Sequence, residues 1–296
     1  MKVVIWFQSP NVKMLVFAVN VLNKLYGNVV ILGMTGAKKA ASVSSGPIEF
    51  IDKNDLPSLD YDLMIVSGEN ASMVDVLKEA PTLGIDPDKI ILDRTICIKN
   101  FSLERYQKLR KSRLSILSRN CWGGFVYHRL GLPFLSPTVN MFLSDTDFIK
   151  LIRDRQHYFS QELKLVDKGF NPELQFEYPI FMLDDVKLNM NHYRDFDDAR
   201  EKWRSRSARI NWSNALIVMN TDKPELLAEF DRLPFDKKIC FVPFETDVES
   251  AFYIPPDQYR GQALWQAVLD TARGEFVCFD LWDLLLDGKK TPLYNN

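Results

Sequence analysis

Apolar residues in the first third of the chain come in short unbroken runs, separated by stretches in which they recur every three to four positions. Val3 to Phe7 is followed by a helical pattern from Val12 to Tyr26, then by the run Val29 to Met34. After a small-residue stretch, Ala40 to Gly46, come Ile48 to Ile51, Asp62 to Gly68, a helical pattern from Ser72 to Glu79, and Lys89 to Asp93. Strands alternating with helices predict a parallel sheet, and strands apolar at every position are those covered on both faces. The apolar run Met14 to Leu25 is broken by Asn20, Asn23 and Lys24 and is too short for a bilayer core about 30 Å thick, so it predicts a core-facing helix with no transmembrane segment.

This stretch resembles the small Rossmann-like domains of sugar-nucleotide and polysaccharide enzymes in Tyr61 to Gly68 and Gly84 to Asp93. Those domains follow their first strand with a glycine-rich turn whose N–H groups approach a phosphate. Here the turn reads Gln8-Ser9-Pro10-Asn11, in which proline removes a donor and no glycine permits close approach. A Rossmann-like scaffold without its dinucleotide is expected.

Ser102 to Arg113 carries Arg105, Lys108, Arg110, Lys111 and Arg113 among polar residues and predicts a solvated linking helix. Beyond it, strand-like runs fall at Leu114 to Leu117, Thr138 to Leu143, Ile180 to Leu183, Val186 to Met190, Leu216 to Met219 and Ile239 to Val242. Helical patterns lie at Phe125 to Leu130, Asp145 to Glu162, Asp197 to Ile210, Pro224 to Leu233 and Gln262 to Arg273. The fold class is therefore α/β, with a Rossmann-like parallel-sheet domain over residues 1–113 and a second α/β domain over residues 114–296.

The chain has 296 residues, 46% hydrophobic and 26% charged, which excludes disorder and fibre. With 37 basic and 39 acidic residues there is no long-range field to draw it onto nucleic acid, so any anion site must be local. Cys97, Cys121, Cys240 and Cys278 show no CxxC spacing and no leader precedes Val3, a combination that predicts reduced thiols in a cytoplasm.

Candidate chemistry begins at Ser118-Arg119-Asn120-Cys121-Trp122-Gly123-Gly124, a loop that opens a helix. Free N–H groups at Gly123 and Gly124, the helix dipole, the planar charge of Arg119 and the amide of Asn120 suit an anion. The same residues also suit a tight turn that packs Trp122 into the core. Cys121 is the best-placed nucleophile if the helix and an arginine favour its thiolate, with His192 or His128 as base; a buried structural cysteine is the other reading. Asp145-Thr146-Asp147 reads either as a carboxylate pair for a divalent metal and a nucleotide diphosphate or as a helix cap, and the cap is favoured. No metal ligands are assigned. Asp184-Asp185 and Asn220-Thr221-Asp222 read as turns.

Acids lead and bases end the segment Asp197 to Ile210, as the macrodipole prefers. Ala199, Trp203, Arg206 and Ile210 share one face, and Lys202, Arg206 and Arg209 form an adjoining basic stripe. With Asn211 and Trp212 these residues form either a surface salt-bridge face or an aromatic-rimmed positive groove for a diphosphate or an acidic sugar. His192, just before this helix, is the candidate acid or base.

The succession Asn120-Cys121-Trp122-Gly123-Gly124, Tyr127, Leu130-Gly131-Leu132, Ser136-Pro137-Thr138, His192-Tyr193, Lys202-Trp203 and Arg209-Ile210-Asn211-Trp212 resembles a bacterial family known as domain of unknown function 1919. The likeness spans Ser115 to Ile254. It implies a place in exopolysaccharide or capsule biosynthesis and adds Tyr127, Ser136 and Thr138 to the candidate substrate-binding residues. Together these features lead to a transferase using an activated anionic donor such as a nucleotide sugar, with Mg²⁺ or Mn²⁺ accompanying it, His192 as base, and Arg119 and Arg206 on the departing phosphate. A non-catalytic ligand-binding or assembly protein, with polysaccharide-assembly partners, is the alternative, and acyl transfer through Cys121 a third.

Overall fold

β-branched and large apolar side chains fill runs such as Val3 to Phe7, Leu63 to Val66 and Leu216 to Met219, leave them no polar face to expose, and pair them in parallel ladders. The computed structural model describes residues 1–8, 12–36, 48–68, 70–259 and 261–293. Ser9-Pro10-Asn11 and the stretch from Ala40 to Gly46 lie outside the described residues.

The chain divides into two units, Met1–Gln107 with His128–Leu132, and Lys108–Tyr127 with Pro133–Asn296. In the first, β1 (Lys2–Phe7), α1 (Val12–Tyr26), β2 (Val30–Gly36), β3 (Leu63–Ser67), α2 (Asn70–Glu79), β4 (Ile90–Leu92) and α3 (Asp93–Ile96) follow one another. The four strands form a parallel sheet in the order β2-β1-β3-β4. Val4, Trp6, Met64, Val66, Ile90 and Leu92 share one core cluster, while Val3, Ile5, Leu63, Ile65 and Ile91 are equally buried. In α1 the buried residues are Leu15, Ala18, Val19 and Leu22, one helical stripe. Among the described residues no helix is long and apolar enough to cross a membrane. Ile48 to Ile51 does not form a strand; only Phe50 makes a bridge, to Met34.

The expected linking helix is α4 (Leu103–Ser112), and it is not wholly solvated, since Tyr106 and Leu109 are buried. The second unit continues with β5 (Ser115–Ser118), α5 (Trp122–Leu130), α6 (Asp145–Arg153), α7 (Arg155–Tyr158), β6 (Lys164–Asn171), β7 (Phe176–Leu183), β8 (Val186–Asn189) and α8 (Phe196–Ser207). After these come β9 (Ala215–Asn220), α9 (Pro224–Asp231), β10 (Lys237–Val242), β11 (Ala251–Tyr253), α10 (Leu264–Arg273) and α11 (Leu281–Asp287). A parallel sheet runs β11-β10-β9-β5, and β6-β7-β8 form an antiparallel one. One core joins Ile217 and Met219 of β9 to Phe181 and Leu183 of β7, Leu188 of β8, and Phe148, Ile149 and Ile152 of α6.

Three further elements differ from expectation. Thr138 to Leu143 is not a strand: Asn140 adopts a left-handed φ of 63°, which interrupts extension, and only Phe142 pairs, with Asn189. The long helix expected from Asp145 breaks at Asp154, whose side chain accepts the His157 N–H at 3.3 Å and starts α7. β6 was hidden because its residues are mostly exposed and charged positions interrupt its apolar ones. The signal for its hairpin was Asn171-Pro172, where Asn171 Oδ1 accepts the N–H groups of Glu173 and Leu174 and shapes the turn.

Candidate functional site

Parallel strands end with free main-chain groups on one edge, and in open α/β sheets ligands gather outside the carboxyl ends. Beyond β5 and β9 that edge carries Arg119, Asn120, Asn220 and Thr221. The Arg119 guanidinium forms an ion pair with Asp145 and donates to Asn220 Oδ1 at 3.2 Å. Asn120 Nδ2 donates to the same oxygen at 3.3 Å, and Thr221 Oγ1 donates to Asp145 Oδ2 at 2.8 Å. With side chains only 22% and 15% exposed, Arg119 and Asp145 satisfy each other, and most of the charge expected to meet an anion is spent within the protein. Asp145 therefore opens α6 without capping it; the cap is Ser144, whose Oγ accepts the Asp147 N–H at 3.1 Å.

The start of α5 is similarly closed. Asn120 Oδ1 accepts the Trp122 N–H at 3.1 Å, and Ser118 Oγ accepts the Gly123 N–H at 3.0 Å. A Cβ on Gly123 would stand 2.9 Å from Ser118 Oγ and 3.2 Å from the Ile116 carbonyl oxygen, so glycine here lets the helix lie against β5. Gly124 packs against Val139 and Asn140. Trp122 is fully buried and donates from Nε1 to Thr271 Oγ1 at 2.9 Å. Tyr127, Ser136 and Thr138 are buried braces of the same loop: Tyr127 Oη accepts the Ile116 N–H at 2.7 Å, Thr138 Oγ1 accepts the Ser118 N–H at 3.0 Å, and Ser136 Oγ lies 3.0 Å from Thr138 Oγ1. Burial pushes the Cys121 thiol up to about 11, outweighing the opposing pull of Arg273, so Cys121 is a protonated thiol at neutral pH.

The stripe expected on α8 divides. Arg206 points inward, only 7% exposed, with NH1 donating to Tyr193 Oη at 2.7 Å and its guanidinium 4.9 Å from the Phe134 ring centre. Trp203 stacks instead on Phe159 at 5.5 Å, while Trp212 meets that ring edge-on at 5.3 Å. Lys202 pairs with Asp198 at 2.6 Å and Arg209 Nε donates to the Ser205 carbonyl at 3.0 Å. Asn211 ties the end of α8 to β5, its N–H donating to Ser115 Oγ at 2.8 Å.

His192 follows β8 and keeps contact with solvent. Burial, reinforced by the positive charge of Arg273 and opposed by Glu173, holds its imidazole below the usual 6.5. Arg273, at the end of α10, thus acts on both Cys121 and His192. It is exposed, pairs with Asp270 at 3.3 Å and lies 4.4 Å from the Phe125 ring centre. Arg273, Asp145, Asn220 and Glu173 are members of this neighbourhood that reading along the chain did not assign to it; Arg273 looked only like the basic last residue of a helix. Among the described residues no group of three or more His, Cys, Asp or Glu side chains converges as a metal site.

Residues 92–274, which contain the whole cluster from Arg119 to Arg273, match a family described as Domain of unknown function (DUF1919). A protein of Haemophilus influenzae, described as an uncharacterized protein, is 34% identical over 169 residues, covering 55% of this chain and 77% of that protein.

Proposed function

The chain belongs to the DUF1919 family, and on that premise we propose that it is a transferase of surface-polysaccharide assembly, moving a group from an activated anionic donor such as a nucleotide sugar to a saccharide hydroxyl in the cytoplasm. The arrangement that carries this reading is His192, just past the end of β8, with the exposed Arg273 close enough to disfavour its protonation. A base must be unprotonated to accept a proton, and the downward shift of His192 favours that form at neutral pH. The acceptor oxygen attacks the donor carbon, its proton passes to His192, and the bond to the donor phosphate breaks. Arg273, with its head group toward solvent, meets the charge growing on the phosphate. Arg119 and Arg206 hold the scaffold instead, the first through Asp145 and the second through Tyr193. Mg²⁺ or Mn²⁺ would come as part of the donor complex and offset the charge of its diphosphate.

A thermal-shift screen of nucleotide sugars, nucleotides, acyl-CoAs and sugar phosphates, each with and without Mg²⁺ or Mn²⁺, tests the reading. A ligand at 100 times its dissociation constant adds about 2.7 kcal/mol of stability. A shift confined to nucleotide sugars and lost in Arg273→Gln supports the donor assignment, and His192→Ala is expected to slow turnover by about 10²- to 10⁴-fold. No shift with any donor gives the place to a non-catalytic assembly protein, the reading favoured by the internal use of Arg119 and Arg206.

A further inference from the structure

Residues one turn apart on α8 form a second stripe that the basic pattern of the sequence did not single out. Arg200, Trp203, Arg204 and Ser207 share one helix face, and together with the segment Phe159 to Leu163 they enclose a groove of about 780 Å³. This size is within the range that small organic ligands occupy. The groove is separate in composition from the cluster around His192 and Arg273, none of whose side chains lines it.

We propose that this groove binds a carboxylated saccharide, a sugar unit of the uronic acid type, at a site of its own apart from the His192 cluster. Three features of the lining select that chemistry. The first is charge: the Arg204 guanidinium makes no hydrogen bond or ion pair among the described residues, whereas Arg200 already shares its charge with Asp197 at 3.2 Å. Glu162 stands in the same lining, so a single guanidinium is left to pair with a ligand while a carboxylate repels further negative charge, an arrangement suited to one ligand carboxylate. The second is an orphaned polar atom, since Ser207 Oγ is buried and has no hydrogen-bond partner. A hydroxyl without a partner is costly, and a ligand oxygen seated beside it removes that cost. The third is the apolar wall: Phe159 and Trp203, stacked at an interplanar angle of 10°, present carbon surface to the groove, matching the C–H face of a pyranose. The ligand carboxylate meets Arg204, a ring hydroxyl meets Ser207 Oγ, and Glu162 accepts from a second hydroxyl.

Binding here does not depend on the transferase reading, so the two are separable. Isothermal titration calorimetry of the full chain with a glucuronate-containing disaccharide is expected to show saturable binding. The neutral analogue, with the carboxylate reduced to a hydroxymethyl group, should bind at least tenfold more weakly. Arg204→Gln, a change at an exposed position, and Ser207→Ala should each weaken the disaccharide without lowering the melting temperature, while Arg273→Gln and His192→Ala leave its affinity unchanged. Uronate binding with no turnover on any donor would keep this site and discard the transferase. Equal affinity for the charged and neutral disaccharides, preference for uridine diphosphate over the uronate, or no binding of either disaccharide overturns the proposal.

Discussion

Arg206 NH1 donates to Tyr193 Oη at 2.7 Å, and the same phenol donates onward to the Val139 carbonyl at 2.9 Å. A guanidinium 7% exposed is thereby joined to the loop that braces α5, through a residue adjacent to His192. Hydrogen bonds to charged groups contribute about 1.5–3 kcal/mol, so Arg206→Ala should lower unfolding free energy by about that much, with more lost as packing on Phe134 disappears. Urea denaturation measures it. A change below about 0.5 kcal/mol would show that Arg206 is not a structural brace and would return it to the list of substrate contacts.

Arg119 and Asp145 are mutually dependent. Asp145→Ala leaves a largely enclosed guanidinium without its partner and frees Thr221 Oγ1. Breaking a fully buried pair costs about 3–5 kcal/mol, and the residual exposure here reduces the expectation to about 2–3 kcal/mol. A double-mutant cycle with Arg119→Met should recover part of the loss; strict additivity of the two changes would refute the coupling.

His192 should titrate below 6.5 in the folded chain. A folded-state value below the unfolded one means that the fold favours the neutral ring. That contribution is present above pH 6.5 and is lost as pH falls through the folded value. Arg273→Gln removes a positive neighbour and should raise the value, while Glu173→Gln should lower it. With three histidines in the chain, proton NMR can follow each ring, and a His192 value above 6.5 would remove the basis for its role as a base at neutral pH.

Cys121, with its thiol raised to about 11, should hold about a hundredfold less thiolate than an ordinary cysteine. Alkylation by iodoacetamide at pH 7.5, read by mass spectrometry, is expected to be slow in the folded chain and fast in urea. Rapid folded-state labelling at Cys121 would reinstate acyl transfer as a reaction class.

Lys237 secures the end of α11, its Nζ donating to the Leu286 carbonyl at 2.6 Å and to Asn214 Oδ1 at 2.8 Å. The last carbonyls of a helix have no partner within it, and Lys237 satisfies that of Leu286 with a charged donor, so Lys237→Met should cost about 1.5–3 kcal/mol. Hydrogen exchange should show faster opening of Leu281–Asp287 in the variant, and unchanged exchange there would argue against this anchoring.

Much of the architecture was legible because the information for it is local. Val3 to Phe7, Leu63 to Val66, Leu216 to Met219 and Ile239 to Val242 are apolar at successive positions, the pattern of a strand covered on both faces. β6 was not legible, because a solvated edge strand needs no apolar run and takes its pairing from β7. Thr138 to Leu143 misled for the opposite reason: its residues suit a strand, but Asn140 turns the chain and the segment instead braces two sheets, with Leu143 N–H on the Arg119 carbonyl and Phe142 on Asn189.

The sequence by itself determined the α/β class, the main strands and helices, and the residues whose chemistry is worth questioning, since periodicity and residue type are properties of neighbours along the chain. Which of those residues face a ligand was decided only by tertiary structure. A helix places Lys202, Trp203, Arg204 and Arg206 around a full turn, and a linear reading cannot tell which direction is core and which is groove. Packing sent Arg206 to Tyr193 and Trp203 to Phe159, and chain crossings brought Asp145 to Arg119 and Arg273 within electrostatic reach of His192. Charge is neutralised by whatever lies nearest in space, and that neighbour is set by the fold rather than by spacing along the chain.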